Sequence, residues 1–202
     1  IALLIQALLF GDGGILAFGA NCFNMAFILP YLGFFLYKLL LKKTGMRKLS
    51  AAIGSYIGIN AAAFCAAVEF GIQPLLFKNA EGQALYCPYP LSVSIPAMMI
   101  GHITLFGLAE IILTVVVLTF VEKVTPKALD VVPDKTAFKP LYILMAVLIV
   151  LTPLGLLATG TAWGEWGTDE IAGLVSGGSQ LGYTPSGMTN GFELSTLFPD
   201  YS

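Results

Sequence analysis

Five runs of apolar residues, broken by short polar or charged stretches, set the pattern of this chain: 1–10, 15–40, 50–71, 93–121 and 140–158. Each of the last four is near or above the ~20 apolar residues that a helix needs to cross a hydrocarbon core. The first run is about half that length, so the chain is expected to begin inside a helix, with N-terminal helices missing. Ten-residue segments of alternating polarity, the mark of a membrane barrel, do not occur. The pattern therefore predicts an all-α, polytopic transmembrane helix bundle over 1–158. The remaining residues, 159–202, change character: they are rich in Gly, contain Trp163 and Trp166, and carry acidic residues with no Lys or Arg. They read as an extracytoplasmic extension with tryptophans at the membrane interface.

Composition strengthens this picture. Of the 202 residues, 57% are hydrophobic and 11% charged, and the mean hydropathy is +0.84. A soluble domain carries about 25% charged residues. The net charge of −2 argues against nucleic-acid binding, which requires a basic face. Basic residues fix the expected orientation. Lys38, Lys42, Lys43, Arg47 and Lys48 surround the loop 42–49, and Lys123, Lys127, Lys135 and Lys139 surround the loop 122–139, whereas Lys78 is alone on the other face. By the positive-inside rule the two basic loops are cytoplasmic. The Gly11–Gly14 turn, the 72–92 loop and the C-terminal segment are then outside. Pro74, Pro88 and Pro90 make 72–92 an ordered turn rather than helix.

Polar residues within the spans are the candidates for chemistry, because lipid offers them no partner. Asn21, Asn24 and Asn60 are expected at similar depths on neighbouring spans, either pairing with one another or lining a site. His102 is the single histidine, and imidazole is a common nickel and cobalt ligand. Its alternative role is a helix–helix hydrogen bond. A carboxylate at mid-membrane is costly, so Glu110 should face the bundle interior with a partner, as an anchor or a cation contact. It lies eight residues beyond His102, about 80° around the helix. Glu69 and Asp12 are expected near the outer surface as solvated end charges. Gly54, Gly58, Ala62 and Ala66 recur every four residues and form a small-residue face. That face suits packing within the bundle or docking against a partner membrane subunit.

The three cysteines Cys22, Cys65 and Cys87 have neither disulfide nor zinc spacing. No phosphate-binding loop or hydrolase motif is present, so the chain is not expected to hydrolyse ATP itself or to be an enzyme.

Several stretches identify a family. The run GDGGILAFGANCFNMA (11–26), followed by Pro-Tyr-Leu-Gly (30–33), resembles the CbiM/NikM family, the substrate-binding membrane subunits of energy-coupling-factor cobalt and nickel importers. GHITLFGLAEIILT (101–114) resembles the same family, and TPLGLLATGTAWGEWG (152–167) with PDYS (199–202) resembles the C-terminal extension of its longer members. The resemblance implies capture of Co(II) or Ni(II) as transported substrate, with no resident cofactor. It implies a coupling transmembrane subunit and cytoplasmic ATPase subunits as partners, in a bacterial or archaeal plasma membrane. It places the primary metal ligands upstream of Ile1 and makes Gly19 and Asn21 site-shaping residues. A vitamin or other solute transporter subunit, and a structural subunit of a larger complex, are the competing readings.

Overall fold

The structure is a computed structural model, and it describes residues 1–10, 16–129, 139–151 and 183–189. Within these, the chain is helical, with one isolated antiparallel bridge between Lys78 and Ala84. Helix α1 (Ala2–Ile5) runs on as a π turn, Gln6–Phe10. Three long helices follow, each long and apolar enough to span a membrane: α2 (Phe18–Thr44), α3 (Arg47–Leu76) and α4 (Leu91–Val124). Helix α5 (Lys139–Leu151) covers the first part of the expected last span, and α6 is a single turn, Ser186–Thr189. The all-α polytopic bundle is thus the fold.

The joint between α2 and α3 is two residues long. Gly45 takes the left-handed conformation (φ +68°), which glycine adopts without penalty, and its N–H closes on Leu41 O at 2.9 Å. Met46 is extended and donates its N–H to Thr44 Oγ1. The loop expected over 42–49 is therefore nearly all helix, and its basic residues sit on helix ends. A joint this short leaves α2 and α3 no choice but to run antiparallel against each other.

Small residues bring the two helices together. A Cβ added to Gly54 would lie 2.6 Å from Gly33 O, and one added to Gly58 would lie 2.8 Å from Leu29 O. The face of Gly54, Gly58, Ala62 and Ala66 is thus filled, at its glycines, by the chain's own α2 and not by a partner subunit. Ala62 is buried and Ala66 half-buried. Helix α3 is the centre of the bundle: Ala51, Gly54, Gly58, Ala62, Ala63, Ala67 and Gly71 are buried along it. Bulky residues such as Phe34, Phe35, Ile112 and Val116 face outward. This inverts the soluble pattern, because in lipid close backbone packing holds helices together and large apolar side chains have nothing to escape from.

Helix α3 continues five residues past the expected end at 71 and contains Pro74. The proline sits in the last turn, where few intrahelical bonds remain to lose, and Phe77 N–H still reaches Gln73 O at 2.9 Å. The start of α4 clamps this end, with Ser94 fully buried and its Oγ donating to Ala67 O at 2.8 Å. The connection between them is an ordered hairpin. Gly82 at φ +79° turns it, and Asn79 and Gln83 bond through both backbone and side chain. Cys87 N–H donates to Gln73 Oε1 at 3.0 Å, and burial pushes the Cys87 thiol pKa up.

Residues 183–189 dock on this hairpin. Ala84 N–H donates to Tyr183 Oη at 3.0 Å, Gly187 N–H donates to Leu85 O at 2.8 Å, and Pro185 is fully buried. At the opposite end of the bundle, Arg47 and Lys48 approach the Glu122 carboxylate at 3.7 and 3.8 Å, joining α3 to α4.

Candidate functional site

Two of the three long helices open into π turns, and each carries candidate residues. In α2 the π turn is Cys22–Ile28, closed by Leu29 N–H on Asn24 O. It lies just ahead of Pro30, whose nitrogen has no hydrogen to give the Ala26 carbonyl, so the ladder is already broken there. The wider turn sets the direction of Asn24, which is only 5% exposed and points at α3. Its Nδ2 donates to Glu69 Oε2 at 2.7 Å, while its Oδ1 is buried with no partner among the described residues.

Glu69 is therefore a helix–helix contact, not the solvated end charge expected from its position. A carboxylate in a spanning helix costs upward of ~3 kcal/mol near the centre, and an amide donor lowers that cost. The register that makes the pair was present in the sequence. Asn24 lies 21 residues before Gly45, and Glu69 lies 23 residues after Met46. An antiparallel hairpin folded at Gly45–Met46 brings those positions level.

Asn60 lies apart from this pair. Its Nδ2 bonds Tyr56 O of its own helix at 2.8 Å, and its Oδ1 is buried with no partner among the described residues. It is nine residues from Glu69 on α3, about 13 Å along the axis, so the expected common depth with Asn24 does not hold. Asn21 is half-buried at the head of the π turn.

The second π turn, His102–Phe106, is in α4, and Gly107 N–H closes it on His102 O. Tyr56 of α3 reaches over to donate to Ile103 O at 2.9 Å, its ring seated where Gly107 leaves room. His102 Nδ1 contacts Met98 O at 2.9 Å, and the Phe106 ring centroid is 5.2 Å away. A carbonyl only accepts, so Nδ1 carries the hydrogen and Nε2 is the nitrogen left for other contacts. Glu110 is half-buried, and its Oε1 accepts from Thr114 Oγ1 at 3.1 Å, one turn along the same helix. It borders an open groove with Leu113, Thr114, Val117, Leu118, Val121 and Leu129. His102 is not among the groove's residues, so His102 and Glu110 do not share a cavity there. Among the described residues no three His, Cys, Asp or Glu side chains come together as a metal site.

Fold and site together define a class: a polytopic membrane protein held by small-residue helix packing, with a buried amide paired to a half-buried carboxylate between its first two long helices. The comparisons with known proteins narrow it. Residues 1–128 match CbiM, described as "Cobalt uptake substrate-specific transmembrane region", and residues 139–202 match the PDGLE domain. The chain belongs to the CbiM family. It is 46% identical over 202 residues to the "Probable fused nickel transport protein LarMN" of Lactiplantibacillus plantarum, covering all of this chain and 61% of that protein. It is 43% identical over 221 residues to the "Fused nickel transport protein NikMN" of Rhodobacter capsulatus, of which it covers 63%. The chain thus spans about three-fifths of the length of these curated relatives. A crystal structure of a transition metal transporter superposes with a TM-score of 0.60 at 51% identity, covering 71% of this chain and 60% of that one. A truncated transition metal transporter superposes with a TM-score of 0.58 at 57% identity, covering 59% and 56%.

Proposed function

We propose that the protein is the substrate-capture membrane subunit of an ATP-driven importer of a divalent transition metal, with nickel as the cargo. The observation that carries this reading is the similarity along the whole chain to proteins named as fused nickel transporters, through both the CbiM region and the PDGLE segment. Relatives named for cobalt match shorter stretches, 29% and 63% of the chain in two cases, which favours nickel over cobalt.

In this reading the basic ends of α2, α3 and α4 face the cytoplasm, in keeping with the positive-inside rule. The 77–90 hairpin, with residues 183–189 docked on it, lies outside. The primary ligands lie upstream of Ile1, where the family resemblance puts them, and nitrogen donors there suit Ni(II). His102 supports the helix through Met98, and Glu110 sits beside Thr114; both are assigned structural roles. A coupling membrane subunit and cytoplasmic ATPases supply the energy, since transport against a gradient needs a driving reaction that no motif in this chain provides.

Elemental mass spectrometry of the full-length protein, purified in detergent from cells grown with trace nickel and cobalt, tests the proposal. One equivalent of nickel is expected. Absence of bound metal refutes the reading, and one equivalent of cobalt in place of nickel corrects the cargo.

A further inference from the structure

We propose that Asn24 and Glu69 form a second, weaker cation site that takes a partly hydrated divalent transition metal ion between Asn24 Oδ1 and the Glu69 carboxylate. The inference rests on the importer reading above and adds to it a place for the ion within the bundle. Two independent features support it. The first is an anionic side chain in a spanning helix whose protein contact is a neutral amide, which leaves its charge uncompensated by that contact. The second is Asn24 itself: 5% exposed, its head group against Glu69, and its carbonyl oxygen buried with no donor among the described residues.

An amide held only for structure is expected to satisfy both ends, because an orphaned buried acceptor is costly. Here the nitrogen end is satisfied and the oxygen end is not. Rotating the amide by half a turn exchanges them. Carboxylate and carbonyl oxygens then face each other, an arrangement that repels unless a cation lies between. Oxygen donors bind nickel and cobalt less tightly than the nitrogen set of a capture site. Weak binding is what transit requires, since an ion held too firmly at each step does not leave. The π turn of α2 gives the site its access to α3, as such turns often do at functional positions. Asn60, bonded to its own helix and far along α3, takes no part.

Equilibrium dialysis of the full-length protein in detergent against Co(II), with bound metal counted by elemental mass spectrometry, tests the site. The expected result is one tight equivalent and one weaker equivalent. Glu69→Gln keeps an oxygen to accept from Asn24 but removes the charge; it should weaken the second equivalent at least tenfold and leave the first unchanged. Asn24→Asp adds a second carboxylate and should tighten the second equivalent, with Co(II) restoring thermal stability lost to repulsion in the metal-free variant. A single equivalent in the unaltered protein, or a second equivalent indifferent to both substitutions, overturns the site and leaves the importer reading standing. An Asn24→Asp protein whose lost stability Co(II) does not restore also overturns it, by making the pair a structural clamp. Failure to bind any cobalt overturns the site, and failure to bind nickel as well in a parallel dialysis overturns both readings.

Discussion

One methyl group added at Gly54 should cost stability at the crossing of α2 and α3. Its Cβ would be built 2.6 Å from Gly33 O and 3.2 Å from Tyr37 N, both backbone atoms of α2 that no rotamer change can move. Ordinary contact begins at 3.4 Å, so Gly54→Ala forces α2 and α3 apart by about 0.8 Å along the crossing. A gap of that size forfeits roughly a quarter to a half of the dispersion energy of each contact it opens. Overpacking of this kind costs about 1–3 kcal/mol. The intrinsic preference of a helix for Ala over Gly, up to about 1 kcal/mol, works the other way. Gly19→Ala supplies the control, because among the described residues nothing lies within 4 Å of its added Cβ. The difference between the two variants removes most of the propensity gain and leaves the clash, a roughly 5- to 150-fold ratio of unfolding constants for about 1–3 kcal/mol. Unfolding in mixed micelles titrated with sodium dodecyl sulfate, followed by circular dichroism, measures it. If Gly54→Ala is as stable as Gly19→Ala, the close crossing of α2 and α3 is wrong.

Further outcomes follow from other contacts. Tyr183→Phe removes the acceptor for Ala84 N–H, so hydrogen exchange at the Ala84 amide should accelerate while exchange within α3 is unchanged. Glu122→Gln breaks both contacts to Arg47 and Lys48, yet those side chains are 44% and 52% exposed, so the loss should stay below about 1 kcal/mol in the same titration. Cys87 is 8% exposed with its thiol pKa raised by burial, so its thiolate forms only at higher pH than usual. Maleimide labelling of Cys87, located by peptide mass spectrometry, should be slow at neutral pH and rise on alkalinisation. Rapid labelling at neutral pH refutes the buried hairpin end.

The sequence by itself determined the class of fold, and it did so through length and hydropathy. Apolar runs of 20 residues or more admit only helices in lipid, because each backbone polar group must be satisfied within its own segment. The four-residue recurrence of Gly54, Gly58 and Ala62 marked a packing face, and the basic run over 42–49 marked the break between two spans. These are local properties, so local sequence carries them. What occupied the packing face was decided only in three dimensions: the two-residue joint at Gly45–Met46 brings α2 back against α3 before any partner can reach it. Glu69 was read as an end charge because its helix was expected to stop at residue 71. The helix runs on through Pro74, held by Ser94 and the start of α4, and that places Glu69 inside the bundle opposite Asn24. The docking of 183–189 on the hairpin joins residues about a hundred positions apart, and on the hairpin side it uses the backbone groups Ala84 N–H and Leu85 O, which every sequence shares. Such groups leave no trace in residue type, and only the folded chain shows the contact.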